Sequence, residues 1–169
     1  MPAGRRADPI ELAAENWAAR GWSAAAPGMA LVTSVMRVQQ LLLARVEAVL
    51  RPSGLTFARF EVLRLLGFTR TGTLPIGKIG ERLQVHAASV TNAVGRLETD
   101  GLVARTPNPD DGRGVLVTLT DRGSELVEAC TELLNDEVFT RLPMPDAARG
   151  DVFAALRDVR AGFGDFAAD

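Results

Sequence analysis

"LPIGKIGERLQVHAASVTNAVGRLETDGLVARTPNPDDGRGVLVTLT", residues 74–120, passes from a helical to an extended period within one stretch, and that passage sets the fold. Its first ten residues start with Pro75 and repeat Ile76, Ile79 and Leu83 at helical spacing. Three residues on, a second helix from about His86 to Asp100 buries Val90, Val94 and Leu97 and stops at Gly101. Two short helices joined by so tight a turn make a helix-turn-helix. "LVART" and "GVLVTLT" then read as two strands, joined by "PNPDDGR", a turn dense in Pro, Asn, Asp and Gly. A helix-turn-helix followed directly by a hairpin is a winged helix-turn-helix.

Helices flank this unit on both sides. Asp8 as N-cap and Pro9 at the first helical position open a helix over 8–20 that bears Trp17. A long helix over 29–51 repeats Leu31, Val35, Val38, Leu42, Val46 and Val49 until Pro52 and Gly54 break it. Thr56 caps the next, with Phe57, Phe60, Leu63 and Leu66 as one stripe. Thr120 caps a helix over 121–142 whose apolar face is Leu126, Val127, Cys130, Leu133 and Leu134, and a last helix covers about 146–163.

The expected class is therefore mainly α with a small β-hairpin wing, flanked by long dimerisation helices. Residues 8–52 form the N-terminal dimerisation helices and a possible wall of a ligand pocket, 54–120 the winged unit and 121–166 the C-terminal dimerisation helices. The long helices carry more apolar surface than one winged unit covers, so a homodimer is expected, with two recognition helices about 34 Å apart.

Composition narrows the function. The 169 residues are 47% hydrophobic and 24% charged with net charge −2, which suits a globular chain rather than a generally basic nucleic-acid coat. Residues 59–114 hold eight Arg/Lys against six acids, and residues 121–169 hold five Arg against eleven acids, so an anionic partner would meet the middle. No apolar run approaches the roughly 20 residues of a membrane span, and the first residues lack an export pattern, so the expected place is the cytoplasm, with no membrane partner. Cys130, the single cysteine, reads as a buried inert thiol. An enzyme is not expected. His86 is the only histidine, there is no tyrosine and no nucleophile–base pair, and "GFTRTGT" has Thr73 where a phosphate loop needs lysine. The pattern calls for no cofactor or metal.

If Val90, Val94 and Leu97 face inward, the opposite side of the second helix carries Ala88, Ser89, Asn92 and Arg96, with Thr91 on its flank. Such a face suits the major groove of double-stranded DNA: the Asn92 amide matches adenine, Arg96 matches guanine or a phosphate, and the hydroxyls suit phosphate or sugar oxygens. The hairpin beside it would fall over the minor groove, with Arg113 entering it and Asp111 holding the guanidinium in direction. Lys78, Arg82 and Arg105 are candidate backbone clamps. A winged helix used only for protein contact is the competing reading, and it has no need of Arg113.

"RLETDGLV" and the Asp-x-Arg of "DGR" before "VLVTLT" resemble the core of the MarR family of multiple-antibiotic-resistance-type regulators. The resemblance implies a homodimer that binds pseudo-palindromic operators, usually represses, and is released by a small molecule. Many relatives have Asp-Arg-Arg at the wing; Gly112 stands in the middle place here, so one phosphate contact is missing from the pattern. The extra N-terminal helix with Trp17 is similar to a subgroup that answers to urate or other small organic acids, which implies an organic acid or phenolic effector. Its pocket is expected among Trp17, Met36, Gln40, Phe57, Phe60 and Glu61.

Overall fold

A computed structural model describes residues 7–109, 111 and 114–166. The chain runs through α1 (Pro9–Ala19), α2 (Ala26–Leu50), α3 (Phe57–Gly67), β1 (Thr73–Pro75), α4 (Ile76–Leu83), α5 (Ala87–Thr99), β2 (Val103–Pro107), β3 (Val115–Leu119), α6 (Asp121–Leu134) and α7 (Asp146–Gly162). A 3-10 turn, Arg51–Ser53, follows α2, and a π-helical turn, Asn135–Phe139, follows α6.

Three caps read from sequence start their helices. Asp8 accepts the Ile10 amide at 2.8 Å, Thr56 the Arg59 amide at 3.4 Å, and Thr120 the Gly123 amide at 3.0 Å. Each satisfies one of the amides that a helix start leaves without an internal partner. α2 begins three residues earlier than the apolar period suggests, because Pro27 falls in its first turn, where a missing N–H costs nothing. α6 is shorter than expected, since its last stretch widens into the π turn.

The hairpin gains a third short strand. β3 lies between β2 and β1, antiparallel to both, pairing Arg105 with Val117 and Leu74 with Val117. Thr73 and Thr118 face each other there with hydroxyls 3.0 Å apart.

One core joins α3, α4, α5, the sheet and α6: Phe60, Leu63, Leu66, Ile79, Val90, Val94, Leu97, Val103, Val117, Val127, Cys130 and Leu134 are all buried in it. Leu133, expected on that face, is half exposed, and Leu126 is only partly covered. α2 reaches the core only at its C-terminal end, through Val46 and Leu50, and α7 buries none of its residues. Along α2, Leu31, Val32, Val35, Met36, Val38 and Leu41 stay exposed. The sequence has no unbroken apolar run of membrane length, yet Ala26–Ser53 as one helical segment is long and apolar enough for a span by length and composition. The difference arises because Arg37, Arg45 and Glu47 interrupt the run without making its average polar.

Candidate nucleic-acid interface

α5 separates its faces as its period requires. Val90, Val94 and Leu97 are buried, whereas Ala88, Ser89, Thr91, Asn92 and Arg96 are exposed. Three of these polar side chains are already ordered: Arg96 Nε donates to Asn92 Oδ1 at 3.1 Å, and the Thr91 hydroxyl donates to the Ala87 carbonyl at 2.9 Å. The two side chains best suited to base edges thus lie one turn apart and hold each other along the helix.

The wing turn closes tightly on its described residues. The Asn108 amide donates to the Gly114 carbonyl at 2.9 Å, and the Gly114 amide to the Asp111 carbonyl at 2.8 Å. A Cβ at Gly114 would stand 2.9 Å from the Asp111 carboxylate, so the two residues pack closely across the turn. Gly112 and Arg113 lie outside the described residues, and with them the contact expected between Asp111 and Arg113. A notch of about 460 Å³ between the start of α4 and the wing is lined by Lys78, Glu81, Asn108 and Asp111, so the first helix of the pair and the wing turn present one continuous edge.

The three expected clamps differ. Lys78 Nζ sits 2.7 Å from Glu81 and Arg82 is exposed. Arg105 is committed: its Nε donates to Glu98 Oε2 at 2.7 Å, joining β2 to the last turn of α5. The Arg105 guanidinium holds the Glu98 carboxyl below the usual carboxylate range, and Glu98 in turn raises Arg105. No sequence period reveals such a pair, because its members lie on different elements.

The expected pocket residues are only partly brought together. Phe57, Phe60 and Glu61 line a cavity of about 260 Å³ with Arg64, Leu65, Phe68, Leu83 and Phe139. The rings of Phe57 and Phe60 are stacked 6.3 Å apart, and burial raises the pKa of Glu61. Arg64 is the residue missed by sequence reasoning, although it stands three positions after Glu61 on the same helix. It pairs with Glu128 at 2.8 Å, lies 4.5 Å over the Phe68 ring, and its buried Nε makes no hydrogen bond. Trp17, Met36 and Gln40 do not line this cavity. The first turn of α1 lies against Thr33, Ser34 and Arg37, so Trp17 is carried toward the start of α2, where it packs on Trp22 at 5.2 Å. α3 docks at the other end of α2, where Glu47 accepts the Phe57 amide at 2.9 Å.

Residues 53–114 match the model of the MarR family. The multiple antibiotic resistance protein MarR of Escherichia coli (strain K12) is 36% identical over 93 residues, which are 55% of this chain and 63% of that protein. The match therefore spans somewhat less than two thirds of that relative. Among solved structures, Sco5413, a MarR family transcriptional regulator from Streptomyces coelicolor, is similar with a TM-score of 0.76 and 51% identity, covering 84% of this chain and 99% of that one. A mutant MarR from Escherichia coli complexed with operator DNA is similar with a TM-score of 0.68 and 28% identity, covering 76% of this chain and 92% of that one. The exposed polar face of α5, the hairpin beside it and the match across nearly the whole of Sco5413 agree: the chain belongs to the MarR family of winged helix-turn-helix transcriptional regulators.

Proposed function

We propose that this protein is a homodimeric, cytoplasmic repressor that binds a pseudo-palindromic operator in double-stranded DNA and releases it when a small organic acid or phenolic fills a pocket behind the reading head. The observation that carries the reading is the division of α5, with Val90, Val94 and Leu97 in the core and Ser89, Asn92 and Arg96 on the open side next to the wing. That a mutant MarR from Escherichia coli, similar to this chain, is complexed with operator DNA supports DNA as the partner. On this reading Ala88, Ser89, Thr91, Asn92 and Arg96 enter the major groove, while Arg113, beside Asp111 and Gly112, enters the minor groove. Arg82 meets the backbone, and so does Lys78, whose ammonium has three donors and uses one on Glu81 in its own helix.

The pocket is the cavity of Phe57, Phe60 and Glu61, extended by Arg64. Its walls come from α3, α4 and the π turn, so a ligand that fits one arrangement of these elements better than another shifts the position of α5. A single aromatic ring bearing an acid or phenol group suits its size and a lining of aromatic rings that includes the Arg64 guanidinium.

Gel-shift titration at fixed salt, on duplexes selected from the source genome, tests the DNA reading. The Ser89→Ala/Asn92→Ala double variant retains weak, salt-sensitive binding but loses about 10–100-fold in discrimination against random duplex. Arg113→Ala weakens operator binding by about tenfold. Wild-type protein that shifts no selected duplex overturns the reading, and unchanged affinity in Arg113→Ala returns the hairpin to a protein-contact role.

A further inference from the structure

The last turn of α5 is gripped from two sides. Arg59, near the start of α3, donates to Asp100 Oδ2 at 3.2 Å and to the Gly54 carbonyl at 2.6 Å, which ties the end of the reading helix to the core. On the other side Arg105 reaches Glu98 from the middle of β2. The pleat explains this reach. Val103 and Arg105 are two residues apart and share one face of the strand, and Val103 is buried in the core that α5 also enters. The arginine is therefore aimed at the helix by the same alternation that buries the valine.

An arginine so placed is a poor phosphate clamp, because a carboxylate already neutralises it and DNA would have to displace Glu98 first. We infer that Glu98 and Arg105 form a brace that sets the angle between the recognition helix and the wing, and so determine specificity by positioning rather than by touching DNA. This rests on the DNA-binding reading above. The leverage is large. Extended chain runs from Arg105 to Pro107, so the start of the wing turn at Asn108 lies roughly 10 Å beyond Arg105, and a tilt of about 10° at the brace moves it by about 2 Å. Hydrogen bonds to base edges do not survive such a displacement, whereas phosphate attraction hardly notices it.

The test compares Glu98→Gln, Arg105→Gln, Arg105→Lys and the exchanged pair Glu98→Arg/Arg105→Glu by anisotropy titration at several salt concentrations. One duplex is selected from the source genome and the other is a random sequence of equal length. Each single variant lowers the ratio of selected to random affinity by about twofold to fivefold per subunit, as expected for a partly exposed pair. The salt slope stays at the wild-type value, and the exchanged pair recovers most of the ratio. Arg105→Lys separates the roles, because it keeps the charge a phosphate needs but loses the two-nitrogen grip on Glu98. The brace is overturned if Arg105→Gln weakens both duplexes equally and lowers the salt slope by about one per subunit while Glu98→Gln tightens both, since Arg105 is then a phosphate contact. It is equally overturned if the ratios of all variants match wild type. Failure of the wild-type protein to bind either duplex sinks the DNA-binding reading itself, a result distinct from both.

Discussion

Glu61 shows how one side chain carries a cost that function explains better than stability. It stands half buried in the cavity of α3, and loss of water around its carboxyl raises its pKa. A carboxyl whose folded pKa is raised costs no stability at a pH low enough to protonate it in both states. The cost appears as pH rises from the ordinary carboxylate value through the raised one, and it is complete only above both. Glu61→Gln removes it. The variant is expected to melt higher than wild type at pH 7, by less than about 2 °C because the group keeps partial contact with solvent, and to melt with wild type near pH 4. Calorimetric scans at the two values check this. A lower melting point at pH 7 means that the ionised carboxylate has a stabilising partner and that the sign is wrong.

At the scale of elements, the junction of the wing root and α6 is the tightest. Gly123 lies in the first turn of α6, and a Cβ there would stand 2.1 Å from the Leu102 carbonyl oxygen and 2.9 Å from Leu119. Backbone cannot swing away as a side-chain end can. Gly123→Ala is therefore expected to cost about 3 kcal/mol, lowering the melting temperature by about 6–12 °C, with Ser124→Ala as a near-neutral control. Equal melting of the two variants shows that the helix start shifts freely. The same junction shows what the sequence could tell. Thr120 as a cap, the turn closed between Asn108 and Gly114 and the buried stripe of α5 are local signals, and each is realised among the described residues. β1 is not local: three residues ending in Pro75 have no alternation to read, and only the free edge of β3 makes them a strand. Arg105 escaped for the same reason, since its role depends on Glu98 across an element boundary. The cavity of α3 was half legible, because Phe57, Phe60 and Glu61 lie on that one helix, whereas placing Trp17 required knowing which end of α2 the first helix packs on.

The whole molecule has an unfinished surface. α7 buries nothing in its own chain, yet Val152, Phe153, Leu156 and Val159 are large, apolar and exposed along it, and α2 presents Leu31, Val35 and Val38 in the same way. A single copy would leave both helices in water, whereas a two-fold axis lets one patch cover its own equivalent. On the proposed dimer, the bilayer-length segment Ala26–Ser53 would be an interface helix, its apolar surface met by protein. The acidic charge of residues 121–169 fits the proposed arrangement, in which it would keep a dimerising end away from phosphate while the middle of the chain meets DNA. Phe153→Glu/Leu156→Glu places two charges in the patch without touching the winged core. The variant is expected to keep its helical circular dichroism and to sediment as a single chain. Its affinity for a palindromic duplex should fall by about 10²–10⁴-fold, toward that of a half-site, because the second reading helix is no longer tethered. A variant that stays dimeric and binds as wild type places the interface elsewhere, on α1 and α2 alone; one that turns monomeric but keeps full affinity shows that a single reading head suffices and removes the reason for a pseudo-palindromic operator.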